Sequence, residues 1–201
     1  MKQEEQPKKG KNYSRNNASG NRIKDDDYPT PYSMVWQLLE RETFPKRILE
    51  PAAGPLRAMV TVLGDYGYEV TSRDISEGFD FTEHQIEQHP AIITNPPYKF
   101  SLQFLLRAKQ VATEKIALLL PLTYLYGQER YDLVFSDRKF PLDKVLVFTR
   151  APMLGLPLRE DGKYPTGMQV YAWFIWTKGK RGAPTIGHID NRKYVLSKKD
   201  A

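Results

Sequence analysis

Residues 47–54, RILEPAAG, open the part of the sequence that decides the fold. Their first residues have strand character, and the proline and glycine that follow end the strand in a sharp turn. Residues 56–66 then carry a helical pattern, and residues 68–71, YEVT, indicate a second strand. A strand, a tight turn, a helix and a strand in this order predict two parallel strands joined by a crossover helix.

The same alternation continues along the chain. A continuous apolar run at residues 115–121, KIALLLP, is typical of a strand that is buried on both faces of a sheet. Strand signals also occur at residues 91–94, 144–148 and 170–176, and helix signals at residues 100–113 and 128–135. Strands that alternate with helices predict a mostly parallel sheet with both faces covered.

Length and composition indicate one catalytic or binding domain. The chain has 201 residues, 40% of them hydrophobic, which is enough for one full core but not for two ordinary domains. It has no cysteine, and its three histidines lack the spacing of metal ligands, so we expect no disulfide and no metal site. No apolar run approaches the roughly 20 residues that span a bilayer. We expect a cytoplasmic protein without membrane association; the sequence does not determine its oligomeric state, although a monomer is favoured.

The net charge of +6 is concentrated at the start of the chain. Residues 1–24 hold seven Lys or Arg against two Glu, a balance of +5, and they have almost no apolar side chains. Such a segment buries too little surface to offset its ordering entropy, so we expect a disordered basic arm. The arm either keeps the protein soluble or contacts nucleic-acid phosphates. We expect a folded domain at residues 25–195 and a short tail at residues 196–201.

Three unusual groups of residues follow the predicted strands. The loop EPAAG (residues 50–54) follows the first strand, Asp74 follows the second, and NPPY (residues 95–98) follows the strand that begins at residue 91. In open α/β sheets, ligands bind at the carboxyl ends of the strands. Gly54 lets the backbone approach a ligand closely, and an acid at position 74 can accept both hydroxyls of a ribose. An ordinary turn and a helix cap are the alternatives for these two positions.

The tetrapeptide NPPY is the most specific of the three groups. It arises by chance at a given strand end on the order of once in a thousand chains or less. Its ordinary interpretation is a strand ended by proline, with Asn95 capping the turn. The combination with EPAAG and Asp74 favours a functional interpretation.

Taken together, these residues resemble the amino-group methyltransferases that use S-adenosylmethionine, above all the DNA adenine-N6 methyltransferases and the small single-domain enzymes of phages and prophages. The resemblance covers about residues 28–191, and the motif order is similar to the gamma arrangement of that family. It implies an α/β fold with a Rossmann-like, doubly wound, seven-stranded and mostly parallel sheet, with an antiparallel C-terminal strand, in a single domain.

The resemblance also implies S-adenosylmethionine as the cofactor and S-adenosylhomocysteine as its product. Residues 28–31, YPTP, look like the segment that closes over the methionine end of the cofactor, and residues 78–81, GFDF, look like the segment that holds its adenine. In that segment Asp80 would accept from the adenine amine and Phe81 would pack on the ring. The implied cofactor-binding residues are Tyr28, Thr30, Pro31, Glu50, Pro51, Ala52, Gly54, Asp74, Ile75, Asp80, Phe81 and Asn95.

The chemistry of amine methylation explains the NPPY motif. The side-chain oxygen of Asn95 and the backbone carbonyl of Pro96 can each accept one hydrogen of an exocyclic amine, which directs the nitrogen lone pair at the methyl group. Pro97 helps to rigidify the turn, and Tyr98 offers a ring on which the target base stacks. Neither a metal nor a strong general base is required. The implied catalytic residues are Asn95, Pro96, Pro97 and Tyr98.

The expected partner is DNA, and RNA is a possible substrate. We expect a short or relaxed recognition sequence, read by loops at residues 121–130 and 151–167, with nucleic-acid contacts from Arg130, Arg150, Arg159 and Lys163. Methylation of RNA adenine or of a protein glutamine amide stays open, because both substrates offer the same amine geometry. So does a catalytically lapsed nucleic-acid-binding relative, because Leu56 occupies the place of the second loop glycine usual in the family.

Overall fold

The computed structural model describes residues 30–149 and 169–190. The predicted basic arm, the predicted loop at residues 151–167 and the predicted tail lie outside these residues. So do four of the predicted site residues, which are Tyr28, Arg150, Arg159 and Lys163.

Seven strands and four helices form the described part of the chain. The strands are β1 (Arg47–Glu50), β2 (Glu69–Ser72), β3 (His89–Thr94), β4 (Ala112–Pro121), β5 (Leu142–Phe148), β6 (Tyr171–Thr177) and β7 (Thr185–Ile189). The helices are α1 (Tyr32–Leu39), α2 (Ala58–Asp65), α3 (Ser101–Val111) and α4 (Gln128–Arg130), which continues as a π-helical turn at Tyr131–Phe135. Short 3₁₀ turns lie at Ile75–Glu77, Tyr98–Phe100 and Leu122–Leu125.

The strands form one sheet in the order β2-β1-β3-β4-β6-β5-β7. Neighbours pair in parallel at every position except around β6, which is antiparallel to both β4 and β5. The predicted fold class is therefore confirmed: a seven-stranded, mostly parallel, Rossmann-like sheet with an antiparallel strand near the C-terminus.

Helices cover both faces of the sheet, and β4 shows how the sequence encodes this. Ile116, Leu118 and Leu120 pack in the cluster that includes α3, whereas Ala117 and Leu119 pack in the cluster that includes α1 and α2. Because successive strand residues point to opposite faces, a strand covered on both sides is apolar throughout. This is the pattern that predicted the strand.

Three local features differ from the sequence predictions. Helix α1 and strand β7 were not predicted, and α2 begins at Ala58 rather than at residue 56. The later start has a backbone cause, because Arg57 adopts a left-handed conformation (φ 46°) that a right-handed helix cannot contain. Strand β7 is the outermost strand of the sheet, and most of its side chains are exposed, so it lacks an apolar pattern.

Candidate active site

Three strand ends meet at one edge of the sheet and carry most of the predicted site. Strand β1 lies between β2 and β3 and runs parallel to both, so the three carboxyl ends share that edge. Glu50 ends β1, Thr94 ends β3, and Asp74 comes two residues after β2. The structure therefore brings EPAAG, Asp74 and NPPY together.

The EPAAG loop is held by backbone hydrogen bonds to its neighbours. The amide of Ala53 donates to the Arg73 carbonyl (3.0 Å), and the amide of Gly54 donates to Oδ2 of Asp74 (2.9 Å). Gly54 has a positive φ of 61°, and a Cβ placed on it would have no atom within 4 Å. The backbone is therefore open on that side and can be approached closely by a ligand.

The loop turns into helix α2 without a second glycine. Arg57 takes the left-handed conformation instead, at a cost of about 1 to 2 kcal/mol for a residue with a Cβ. Its guanidinium donates to Ser72 Oγ (2.8 Å) and to Glu77, which holds this conformation in place. Leu56 is 47% exposed.

Asp74 is an ionised, well-held carboxylate. Its Oδ2 accepts from Gly54, and its Oδ1 accepts from the Ser76 amide (2.9 Å) and the Ser76 hydroxyl (2.6 Å). Partial burial alone would raise the pKa of Asp74, but the hydrogen bonds from Ser76 and Gly54 and the nearby Arg57 hold it below its ordinary value. Asp74 thus caps the Ile75–Glu77 turn, the ordinary role considered for it, while its carboxylate remains at the candidate site.

Glu50 is a buried acid at the end of β1, where the EPAAG loop begins. Its Oε1 accepts from the Ala52 amide (3.0 Å) and from the Thr94 hydroxyl (2.6 Å). Its Oε2 is buried and has no hydrogen-bond partner among the described residues. Burial raises the pKa of Glu50 to about 8, with a further rise from the charge of Asp74, against the effect of the two hydrogen bonds.

The first residue of NPPY contacts the segment predicted to close over the cofactor. The side-chain amide of Asn95 donates from Nδ2 to Thr30 Oγ1 (3.0 Å), although the two residues are 65 positions apart. Since the amide group is planar, this bond fixes the direction of the side-chain oxygen of Asn95. Pro31, which precedes helix α1, is buried.

The two prolines continue from β3 into a tight turn. Pro96 is buried and Pro97 is half-buried, and the Pro97 carbonyl accepts from the Phe100 amide (2.9 Å). The turn presents Tyr98, whose ring lies 5.6 Å from that of Tyr171, centroid to centroid. Tyr171 was missed by the sequence reasoning. Because β6 is antiparallel, its first residue lies at the same edge as the carboxyl ends of the other strands, and this was the available signal.

In the segment predicted to hold the cofactor adenine, the two predicted contact residues, Asp80 and Phe81, both have partners within the protein. Asp80 accepts from the amide (2.8 Å) and the hydroxyl (2.6 Å) of Thr82, and these bonds hold the pKa of Asp80 below its ordinary value. Phe81 is 1% exposed and its ring packs against Phe104 at 5.4 Å, so it faces the core. Phe79 is the more accessible ring of the segment. Ile75 is exposed.

Arg130 is the one predicted nucleic-acid contact that falls within the described residues. Its guanidinium lies 4.9 Å above the Tyr124 ring and donates toward the carbonyls of Thr123 and Tyr124 (3.5 and 3.3 Å). It therefore braces the loop that follows β4, and any contact with a ligand would add to that role.

Two absences hold for residues 30–149 and 169–190. No group of three or more His, Cys, Asp or Glu side chains there could hold a metal ion. None of the helices in these ranges has the length and apolar character needed to cross a membrane.

Comparison with known proteins places the fold. No family model matches the sequence, and no curated protein is significantly similar to it. Among solved structures, one similar chain is a Listeria monocytogenes protein assigned to the class I S-adenosylmethionine-dependent methyltransferases, at a TM-score of 0.55 and 11% identity, with 84% of this chain and 68% of that chain covered. Another is a predicted O-methyltransferase from Agrobacterium tumefaciens, at a TM-score of 0.53 and 14% identity, with 85% and 93% covered.

A third similar structure is the modification subunit assigned to a type I restriction enzyme of Vibrio vulnificus. It has a TM-score of 0.49 and 12% identity, and although 91% of this chain is covered, the chain spans only 51% of that subunit. At these identities the likeness concerns the fold alone. This chain has the fold of the class I S-adenosylmethionine-dependent methyltransferases.

Proposed function

We propose that the protein transfers the methyl group of S-adenosylmethionine to the exocyclic N6 amine of adenine in DNA, at a short or relaxed recognition sequence, and leaves S-adenosylhomocysteine. The observation that carries the proposal is the bond from Asn95 to Thr30. It orients the first residue of NPPY at the sheet edge where an open glycine loop and two acids also lie.

The residues present fit the cofactor. Gly54 offers open space for close approach, and Oε2 of Glu50, which has no hydrogen-bond partner among the described residues, suits the ammonium group at the methionine end of the cofactor. Asp74 is ionised and suits a ribose. S-adenosylmethionine, when bound, supplies a methyl group on a positively charged sulfur.

The chain itself contributes orientation. The amine of adenine is a poor nucleophile because its lone pair is delocalised into the ring. The side-chain oxygen of Asn95 and the carbonyl of Pro96 accept the two amine hydrogens and direct the lone pair at the methyl carbon. S-adenosylmethionine would supply the methyl group to this nitrogen and would leave as S-adenosylhomocysteine, and the methylated amine would release one proton to solvent.

The target base needs a flat surface and access to the site. Tyr98, with Tyr171 beside it, supplies an aromatic face on which a base can stack. A base in a duplex would have to leave the helix to reach it, at a cost of a few kcal/mol. Stacking is worth about 1 to 3 kcal/mol per base and offsets part of that cost.

The experiment that tests the proposal is transfer of labelled methyl groups to unmethylated DNA, RNA and a protein release factor in parallel, with Asn95→Ala as the control. We expect label in DNA as N6-methyladenine, with transfer slower by about two orders of magnitude or more for the variant. Label in RNA alone, or on a release-factor glutamine, would replace the proposed substrate. Nucleic-acid binding without any transfer would identify a lapsed relative.

A further inference from the structure

Thr94 has a buried hydroxyl at the junction between the cofactor loop and the NPPY motif. It is the last residue of β3, it is 0% exposed, and it directly precedes Asn95. A buried hydroxyl needs a partner, and a valine would fill the same space in a strand without that requirement. The partner of Thr94 is Oε1 of Glu50, 2.6 Å away and 44 residues earlier in the sequence.

The carboxylate of Glu50 is asymmetric in its surroundings. Oε1 accepts from the Ala52 amide and from Thr94, while Oε2 is buried without a hydrogen-bond partner among the described residues. A buried carboxylate oxygen without a donor is costly, so the arrangement is completed only by a donor that arrives from outside the described chain. A cation fits best, because it also neutralises the acid.

The charged groups around Glu50 favour such a cation. Asp74, after β2, acts on Glu50 as a like charge, and Arg57, at the start of α2, acts on Asp74 while its guanidinium bonds Ser72 and Glu77. Within the described residues, no lysine or arginine forms an ion pair with Glu50. No cation within the described residues therefore neutralises Glu50 when it is ionised.

We propose that Thr94 is a positioning residue: its hydroxyl holds one oxygen of Glu50, so that the other oxygen stays available to the ammonium group of the cofactor. The inference rests on the proposed function. In this arrangement one bond links the end of β1, where the cofactor binds, to the end of β3, where NPPY begins. Thr94 itself touches neither the cofactor nor the target base.

The Thr94 hydroxyl also sets the pH range of cofactor binding. Burial raises the pKa of Glu50 to about 8, and the hydrogen bond from Thr94 opposes that rise because it stabilises the charged carboxylate. An ammonium group binds the ionised form of Glu50. Loss of the hydroxyl therefore raises the pKa of Glu50 further and moves the onset of tight binding to higher pH.

The test is calorimetric titration of the full chain with S-adenosylhomocysteine between about pH 6 and pH 9, which spans the pKa of Glu50. For Thr94→Val we expect a Kd about tenfold higher at neutral pH, as for the loss of one charge-assisted hydrogen bond, and a binding midpoint at higher pH. Thr94→Ser keeps the hydroxyl and should restore both. Glu50→Gln should remove the pH dependence and weaken binding most at the high end of this pH range, where wild-type Glu50 is ionised.

A matched control lies at the opposite edge of the sheet. Thr177 also donates from its hydroxyl to a carboxylate, Oδ2 of Asp143 (2.8 Å), so Thr177→Val removes the same kind of bond away from the site and should leave the Kd unchanged. If Thr94→Val and wild type share one Kd and one pH profile, the positioning role is wrong while the proposed function stands. If the wild type does not bind S-adenosylhomocysteine, both are wrong.

Discussion

Asn95 and Thr30 are joined by a 3.0 Å hydrogen bond from the amide Nδ2 to the hydroxyl, across 65 residues of sequence. The bond leaves the side-chain oxygen of Asn95 with a fixed direction, which is the property that amine orientation requires. Positioning of this kind supplies a large part of the rate enhancement when the reacting group is a weak nucleophile.

Asn95→Ala should lower kcat by about two orders of magnitude or more, because it removes an acceptor used chiefly at the reacting amine. The Kd for S-adenosylhomocysteine should change little. Thr30→Val, which removes only the orienting bond, should lower kcat by about tenfold, and Thr30→Ser should restore it. Steady-state kinetics with labelled cofactor measures both, and near wild-type turnover of Asn95→Ala would contradict the catalytic assignment.

Arg57 gives a prediction about stability. Its φ of 46° strains any residue with a Cβ, while its guanidinium bonds Ser72 and Glu77. Arg57→Ala keeps the backbone strain and loses the hydrogen bonds to Ser72 and Glu77. Arg57→Gly loses the hydrogen bonds too, but it also relieves the backbone strain. The glycine variant should therefore be more stable than the alanine variant by about 1 kcal/mol in urea unfolding. Equal stability of the two variants would mean that the loop has left this conformation.

Glu50 gives a prediction about pH. Its folded pKa, about 8, lies above the ordinary value of 4.5, so the folded state holds an extra proton between these values. Stability from this group is fully present below the ordinary pKa and is lost as the pH rises through the folded pKa. Asp74, whose pKa is lowered, titrates below this window.

Glu50→Gln has no carboxyl group to titrate at position 50, so its folded state does not bind the extra proton. Between about pH 5 and pH 8, the melting temperature of the wild type should therefore fall relative to that of the variant. Thermal unfolding of both proteins in matched buffers measures the difference. Parallel curves across the window would show that Glu50 does not titrate there.

The sequence predicted those parts of the fold whose signal is local. The run at residues 115–121 is apolar because both faces of β4 are covered, and this can be seen without the structure. Strand β7 pairs only at the edge, with Ile186 67% exposed, so no apolar pattern marks it. Helix α1 buries Ser33 and Gln37 as well as its apolar residues, which blurs the amphipathic period.

In the candidate site too, the features with a local sequence signal were predicted and the long-range contacts were not. Gly54, Asp74 and NPPY were found because each follows a predicted strand, and parallel strands bring their carboxyl ends to one edge. The bond from Thr94 to Glu50 and the pairing of Tyr98 with Tyr171 join distant segments, and only the packed sheet brings them together. Long-range contacts of this kind depend on register, which local pattern does not specify.

The last prediction concerns how the protein recognises its target DNA. The resemblance is to enzymes that include restriction-type members with a separate recognition domain, whereas the contacts predicted from this sequence lie in its predicted basic arm and in the predicted loops at residues 121–130 and 151–167. Affinity should therefore come largely from phosphate contacts. Deletion of residues 1–24 should weaken binding to all DNA sequences alike and flatten the slope of log affinity against log salt by up to about 0.9 per lost contact. A matched variant with the seven basic residues of the arm changed to glutamine should reproduce the effect at unchanged length.

Single-molecule sequencing of methylated DNA should reveal a short or relaxed site that survives the deletion, because the arm supplies charge rather than base contacts. A strictly read site of about six or more base pairs would contradict this, because direct readout of that length needs more contacts than two loops provide. An equal salt dependence of binding with and without residues 1–24 would also contradict it.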